Sequence, residues 1–141
     1  MSVRDRRELM VSPRVLVITR LIEEVLGGGQ LDVLDRVYVP RMVPVARRWI
    51  EPFLISFPDA RMQVHQLVDG GDTIVVRFRC SGTHLGPWHG YEPTGRRFEN
   101  IDEVYFFTFQ DDLIAKAWGI EDNLERFRQL GLSNSPLPAP H

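Results

Sequence analysis

A chain of 141 residues is long enough for one well-filled domain and too short for two ordinary ones. Its 43% hydrophobic content is that of a globular protein, without the bias of disordered, collagen-like or coiled-coil chains. Lys and Arg (17) nearly balance Asp and Glu (19), and the arginines are scattered among acids, which excludes a nucleic-acid or polybasic membrane surface; the expected partner is a small molecule or a second copy of the chain.

Residues 1–12 are polar and expected to be flexible. They lack the apolar region of a signal peptide, and no apolar stretch in the chain reaches membrane-spanning length, so the expected location is the cytoplasm. Ser12-Pro13 reads as a helix start, because Ser can accept a bond from an orphan amide and Pro loses nothing at the first helical position. Val15, Ile18, Ile22, Val25 and Leu26 then recur at helical spacing until Gly27-Gly28-Gly29. A shorter helix is expected over Leu31 to Val37, stopping before Pro40, and a third over Val45 to Ser56, bent or ended near Pro52. Each is apolar on one side only and needs something to pack against.

From Arg61 the period becomes two. Met62, Val64, Gln66 and Val68 alternate with Gln63, His65, Leu67 and Asp69, and Gly70-Gly71 turns the chain into a strand over Thr73 to Ser81. There Ile74, Val76, Phe78 and Cys80 form an apolar face opposite Arg77 and Arg79. Strands are expected over Phe98 to Phe109 and Leu113 to Ile120, with apolar residues on both faces, as where a sheet is covered on both sides or borders a cavity. Glu121 to Leu130 returns to helical spacing, and 134–141, with three prolines, is expected to be a flexible tail. Helices followed by antiparallel strands predict an α+β fold with helices on one face of a curved sheet, in a single domain over 13–133.

The connection from Gly82 to Phe98 is long for a compact domain, and its glycines and prolines fix turns while His84, Trp88, His89 and Tyr91 supply aromatic and proton-carrying surface. It reads equally as a lid or pocket rim and as a hairpin loop whose aromatics cap the core. Cys80 is the only cysteine and reads as a buried, inert thiol. Phosphate-cradling and nucleophile-elbow motifs are absent. His84 and His89 lack a third ligand, so no metal site is expected.

Asp122 ends the last strand beside Trp118. Desolvation there would favour its neutral form and make it a base toward carbon acids, but Asp at a strand-to-helix junction is also an ordinary N-cap. Glu99, Asp102 and Glu103 read as a solvated edge, and Tyr105 as a buried, hydrogen-bonded phenol. Arg77 and Arg79 could hold an anion or pair with those carboxylates.

Phe57-Pro58-Asp59, Val68-Asp69-Gly70-Gly71-Asp72, Gly82-Thr83-His84-Leu85-Gly86, Pro93-Thr94-Gly95-Arg96, Trp118-Gly119-Ile120-Glu121-Asp122 and Gln129-Leu130-Gly131, in this order, resemble the motifs of the SnoaL-like polyketide cyclases, from about Pro13 to Leu132. The resemblance implies a cone-shaped α+β barrel of the nuclear transport factor 2-like type, usually oligomeric (a dimer or tetramer), with a deep apolar pocket between sheet and N-terminal helices. It implies an aromatic polyketide or other polycyclic substrate, closed into a ring by intramolecular aldol condensation without metal or cofactor. Asp122 matches the family's acid/base. Tyr105 stands where the family often has histidine or an acid, and it or His84 would steady a carbonyl oxygen. Trp49, Phe53, Trp88, Tyr91, Phe107 and Trp118 would enclose the flat substrate. Relatives include cofactor-independent hydroxylases, epoxide hydrolases and proteins without demonstrated activity, so hydroxylation, hydration and a non-catalytic dimeric module for a hydrophobic ligand stay open.

Overall fold

The computed structural model describes residues 12–132; the flexible ends expected at 1–12 and 134–141 lie outside the described residues, apart from Ser12. The Ser12 side chain accepts the Val15 N–H at 3.1 Å and opens α1 (Pro13–Arg20), as its sequence implies. Beyond Arg20 the helix widens into a π-helical turn (Leu21–Leu26) that closes where the Gly27 N–H bonds the Ile22 carbonyl at 2.9 Å. The helix expected next is a 3-10 segment (Leu31–Arg36), and the chain after it is extended rather than helical. Tyr38 runs parallel to Ile114, whose amide bonds the Val37 carbonyl at 2.9 Å while its carbonyl receives the Val39 amide at 2.9 Å. A 3-10 turn (Pro40–Met42) then leads into α2 (Val43–Ser56), which carries Pro52 in its interior.

Four strands follow as an antiparallel meander in sequence order: β1 (Arg61–Asp69), β2 (Thr73–Thr83), β3 (Arg97–Gln110) and β4 (Leu113–Glu121). On β2, Ile74, Val76, Phe78 and Cys80 are all buried, as the alternation predicts. On β1 it fails. A bulge between Val64 and Gln66 shifts the register, so Leu67 packs on the core and Val68 is exposed, because one inserted residue reverses which side later residues face; Val64, ahead of the bulge, lies opposite Phe78 on the face of Met62 and is exposed on the edge strand. α3 (Asn123–Gln129) closes the fold.

The main core lies between α1, the π-helical turn, the 3-10 segment and α2 on one side and Ile74, Val76, Phe78, Phe107, Phe109 and Ile114 on the other. A second cluster under α3 joins Phe57, Ala60, Cys80, Phe98, Ile101, Phe127, Leu130 and Leu132. The fold is thus α+β, with helices packed on one face of a curved antiparallel sheet. Among the described residues nothing covers the opposite face, where Val68, Phe106, Trp118 and Ile120 stay exposed. Among the described residues no helix is long and apolar enough to cross a membrane.

Candidate active site

The long loop is held at its roots by short contacts. The Asp59 carboxylate accepts the Thr83 N–H and hydroxyl, each at 2.7 Å, and the Ser56 carbonyl accepts the amides of Leu85 at 3.0 Å and Gly86 at 3.1 Å. Gly86 has to be glycine, since a Cβ there would collide with the Ile55 carbonyl. The loop aromatics pack down on the second cluster. Trp88 lies 5.5 Å from Phe57 and 4.7 Å from Phe127 between ring centroids, Tyr91 lies 5.8 Å from Phe127, and Phe53 lies 5.3 Å from Phe57. Of the two readings of this loop, the contacts are those of aromatics that cap a core.

His84 is fully buried beneath that cap. Its Nδ1 accepts the Thr94 N–H at 3.1 Å, which puts the ring proton on Nε2. Nε2 has no partner at hydrogen-bonding geometry, and the ring sits 5.8 Å from Phe57 and 6.3 Å from Trp88. Burial lowers its pKa, with the Gly86 backbone acting weakly the other way, so the imidazole is neutral.

A different polar cluster forms where β3, β4 and α3 meet. The register sets Glu103 opposite Glu121 and Tyr105 opposite Gly119, so all four share one sheet face. A Cβ on Gly119 would collide with the Tyr105 ring; its absence lets the ring lie across β4. The Tyr105 hydroxyl then donates to Glu121 Oε1 at 2.5 Å, while the ring stacks on Phe78 at 5.7 Å and Phe107 at 5.9 Å. Arg126, on α3, is 1% exposed. Its guanidinium donates to Glu103 Oε2 at 2.8 Å, Glu121 Oε2 at 3.2 Å and Asn123 Oδ1 at 2.5 Å. The carbon of that guanidinium stands 4.8 Å from the Phe98 ring and 5.8 Å from those of Phe57 and Trp88, an aromatic seat that suits a weakly hydrated cation.

One guanidinium thus faces two carboxylates in a desolvated corner. Glu103, 3% exposed, responds most: burial, then the charge of Glu121, push its carboxyl up to about 8 against the pull of Arg126. Burial and the same two carboxylates push the Tyr105 phenol upward, and burial does the same to the Cys80 thiol. Cys80 is therefore the inert thiol its sequence position suggests.

Asp122 stands apart. It is exposed, and its Oδ1 caps α3 by accepting the Glu125 N–H at 3.2 Å. Trp118, 55% exposed, pairs with Phe106 on the outer sheet face, away from Tyr105 and Phe107. An apolar trough of about 520 Å³ runs there, lined by Val104, Phe106, Trp118 and Ile120, with Asp102, Glu121 and Asp122 at its polar end. Trp49 lies on α2, 73% exposed. Apart from Trp49, the expected site residues therefore fall into three groups: Asp122 with Trp118 outside, Tyr105 with Phe107 inside, and His84, Trp88, Tyr91 and Phe53 around the second cluster. Glu121, next to Asp122 in the chain, turns its carboxylate to the inner face, where it bonds Tyr105.

Glu103 was expected on a solvated edge and is instead buried, and neither Glu121 nor Arg126 was singled out from the sequence. Strand alternation from Tyr105 back to Glu103 could have signalled the inward face; nothing local marks Arg126 as the buried counter-ion. Arg79 pairs with Asp102 at 3.2 Å, the plainer of its two expected roles. Among the described residues no group of three or more His, Cys, Asp or Glu side chains could hold a metal ion.

The model of the SnoaL-like polyketide cyclase family matches residues 40–130, which span α2, the sheet and α3. Aklanonic acid methyl ester cyclase AcmA from Streptomyces galilaeus is 25% identical over 134 residues, covering 86% of this chain and 92% of that protein. TsrD from Streptomyces laurentii has a similar structure, with a TM-score of 0.78 at 25% identity over 85% of this chain and 96% of its own. A SnoaL-like polyketide cyclase from Agrobacterium tumefaciens shares the fold, with a TM-score of 0.71 at 19% identity over 86% and 100% of the two chains.

Proposed function

Because this chain belongs to the SnoaL-like polyketide cyclase family, whose superfamily is nuclear transport factor 2-like, we propose that it closes a ring of an aromatic polyketide by intramolecular aldol condensation, without a cofactor, using a carboxylate at the end of β4 as acid/base. The observation that carries this reading is the 2.5 Å contact between Tyr105 and Glu121, a base and a hydrogen-bond donor side by side at an apolar site. A carbon flanked by carbonyls on a conjugated polycycle is acidic enough for a carboxylate, and the enolate charge spreads into the rings. The name of the relative AcmA supports a polyketide ester as substrate.

Two neighbouring residues are candidates for the acid/base. The family resemblance favours Asp122; the desolvated surroundings favour Glu121. The exposed apolar face around Phe106, Trp118 and Ile120 supports pairing with a second copy of the chain, as a dimer or tetramer, which light scattering of the purified protein would read. The free, buried Cys80 is in keeping with a reaction in the cytoplasm.

Incubation with aklanonic acid methyl ester, followed by liquid chromatography and mass spectrometry, tests the reaction class. Aldol closure gives an isomer of unchanged mass, hydroxylation adds an oxygen and hydration adds a water. A product of unchanged mass at a new retention time is expected; a product heavier by oxygen or water would replace the cyclase reading by one of the others. Retention of the ester without conversion would favour a binding module.

A further inference from the structure

We infer that Glu121 and Tyr105 form a two-residue proton relay for ring closure, with Glu103 and Arg126 packed behind them. The inference rests on the aldol reading above and names the group that moves the proton.

The groups that meet at this corner come from every element packed on it. β2 brings Cys80, β3 brings Glu103 and Tyr105, β4 brings Glu121, and α3 brings Asn123 and Arg126; Phe57, Trp88 and Phe98 close the remaining side with uncharged rings. Two carboxylates share one cation, and they differ in depth. Glu103 is nearly inaccessible, whereas the Glu121 side chain keeps 28% of its surface. The deeper carboxyl is the one whose ionisation burial penalises, so it retains a proton near neutral pH. Glu121 is the less buried of the two, and so the one more open to a substrate.

Tyr105 completes the path. Its hydroxyl points at Glu121, and its upward shift opposes a standing phenolate, so it gives up a proton only as it receives another. The steps balance without a co-reactant. Glu121 takes the proton from the carbon between two carbonyls, leaving an enolate and a carboxylic acid. The enolate carbon bonds to the second carbonyl carbon, and the π electrons of that carbonyl pass to its oxygen as an alkoxide. Tyr105 gives its proton to the alkoxide and takes the one held by Glu121, which restores the starting state. Asp122 bonds the Glu125 amide and has no tyrosine hydroxyl bonded to it among the described residues.

The test uses the full chain with aklanonic acid methyl ester in deuterated buffer, reading deuterium uptake at the acidic carbon and ring closure separately. Glu121→Gln is expected to lose both, by about 100-fold or more as befits loss of a general base, and at least ten times more than Asp122→Asn. Tyr105→Phe is expected to keep deuterium uptake and lose closure, a split that a merely structural role would not produce. Glu103→Gln is expected to shift the pH profile of kcat. The larger loss in Asp122→Asn, with Glu121→Gln still closing the ring, would overturn the relay while leaving the cyclase reading intact. A second measurement needs no substrate: carbon-13 NMR of labelled glutamate carboxyls should show Glu103 and Glu121 titrating as a linked pair, and Glu121→Gln should move the Glu103 curve. Independent titration of the two would overturn the relay; linked titration in a protein that does not close the ring would uphold the centre and refute the cyclase reading.

Discussion

The second hydrophobic cluster has two polar corners, and they are buried in opposite electrical states. At His84 a neutral ring takes one amide hydrogen bond from Thr94 and leaves its other nitrogen among aromatic rings. At Glu103 a cation and two carboxylates are driven into the same cluster and share their charge unevenly. A neutral ring placed this way fixes a loop and has nothing further to give. A corner with one cation for two carboxylates keeps a proton it can lend. That is why the loop, for all its histidines, is a wall, and why the chemistry is better sought at the end of β4.

The largest effect that would break this contrast is at Arg126. Arg126→Met removes the one cation that faces the Glu103–Glu121 pair and is expected to cost about 3–5 kcal/mol of stability, read from the urea midpoint. A cost under about 1 kcal/mol would mean that the pair needs no cation beside it. Next is His84→Ala, which strands the Thr94 amide and opens a void; a loss of about 2 kcal/mol is expected, with little change in the alkaline limb of the pH profile.

The pH dependence of stability should sharpen the contrast, because the two corners pull in opposite directions. Glu103 binds its proton more tightly in the folded state, so its contribution is fully present below 4.5 and is lost as pH rises toward about 8. His84 binds its proton less tightly when folded. Its unfolded ring charges as pH falls through 6.5, and stability is lost in acid. Urea titrations across this range should show Glu103→Gln flattening the alkaline decline and His84→Gln flattening the acid one; a single variant removing both would show the corners to be coupled. The smallest effect is at Asp122, where Asp122→Ala should cost about 1 kcal/mol as a lost cap, and Asp122→Asn, which keeps a capping oxygen, clearly less.

What could be read from the sequence was what local chemistry decides. Ser12-Pro13 begins a helix because the orphan amides there need an acceptor, and Asp122 begins another for the same reason. The apolar face of β2 follows from alternation alone. Val68 departed from its expected pattern because a bulge is a pairing event between strands, and the run Met62 to Val68 does not announce it. The 3-10 segment before Tyr38 is too short for helical periodicity to distinguish it from a turn of α-helix, and the pairing that follows it involves Ile114, far along the chain. Glu103 looked like a surface acid because its burial depends on Arg126, an arginine in a short helix that nothing nearby marks as inward. The candidate site was therefore legible in Tyr105 and in its location at the end of the last strand, but not in its charge balance.

Gly119 has a consequence for how this protein could change. An aromatic ring at 105 and the lack of a side chain at 119 are a single choice written at two positions, since the ring occupies the space a Cβ would need. A survey that varies 119 alone will report it as intolerant for as long as the ring at 105 is present. Varied together, they could exchange bulk across the two strands, so that a small residue at 105 opposite a larger one at 119 would leave the floor beside Glu121 without its phenol. New reactions on this scaffold should therefore be sought in paired libraries at 105 and 119, since a side chain at 119 has room only once the ring at 105 is gone.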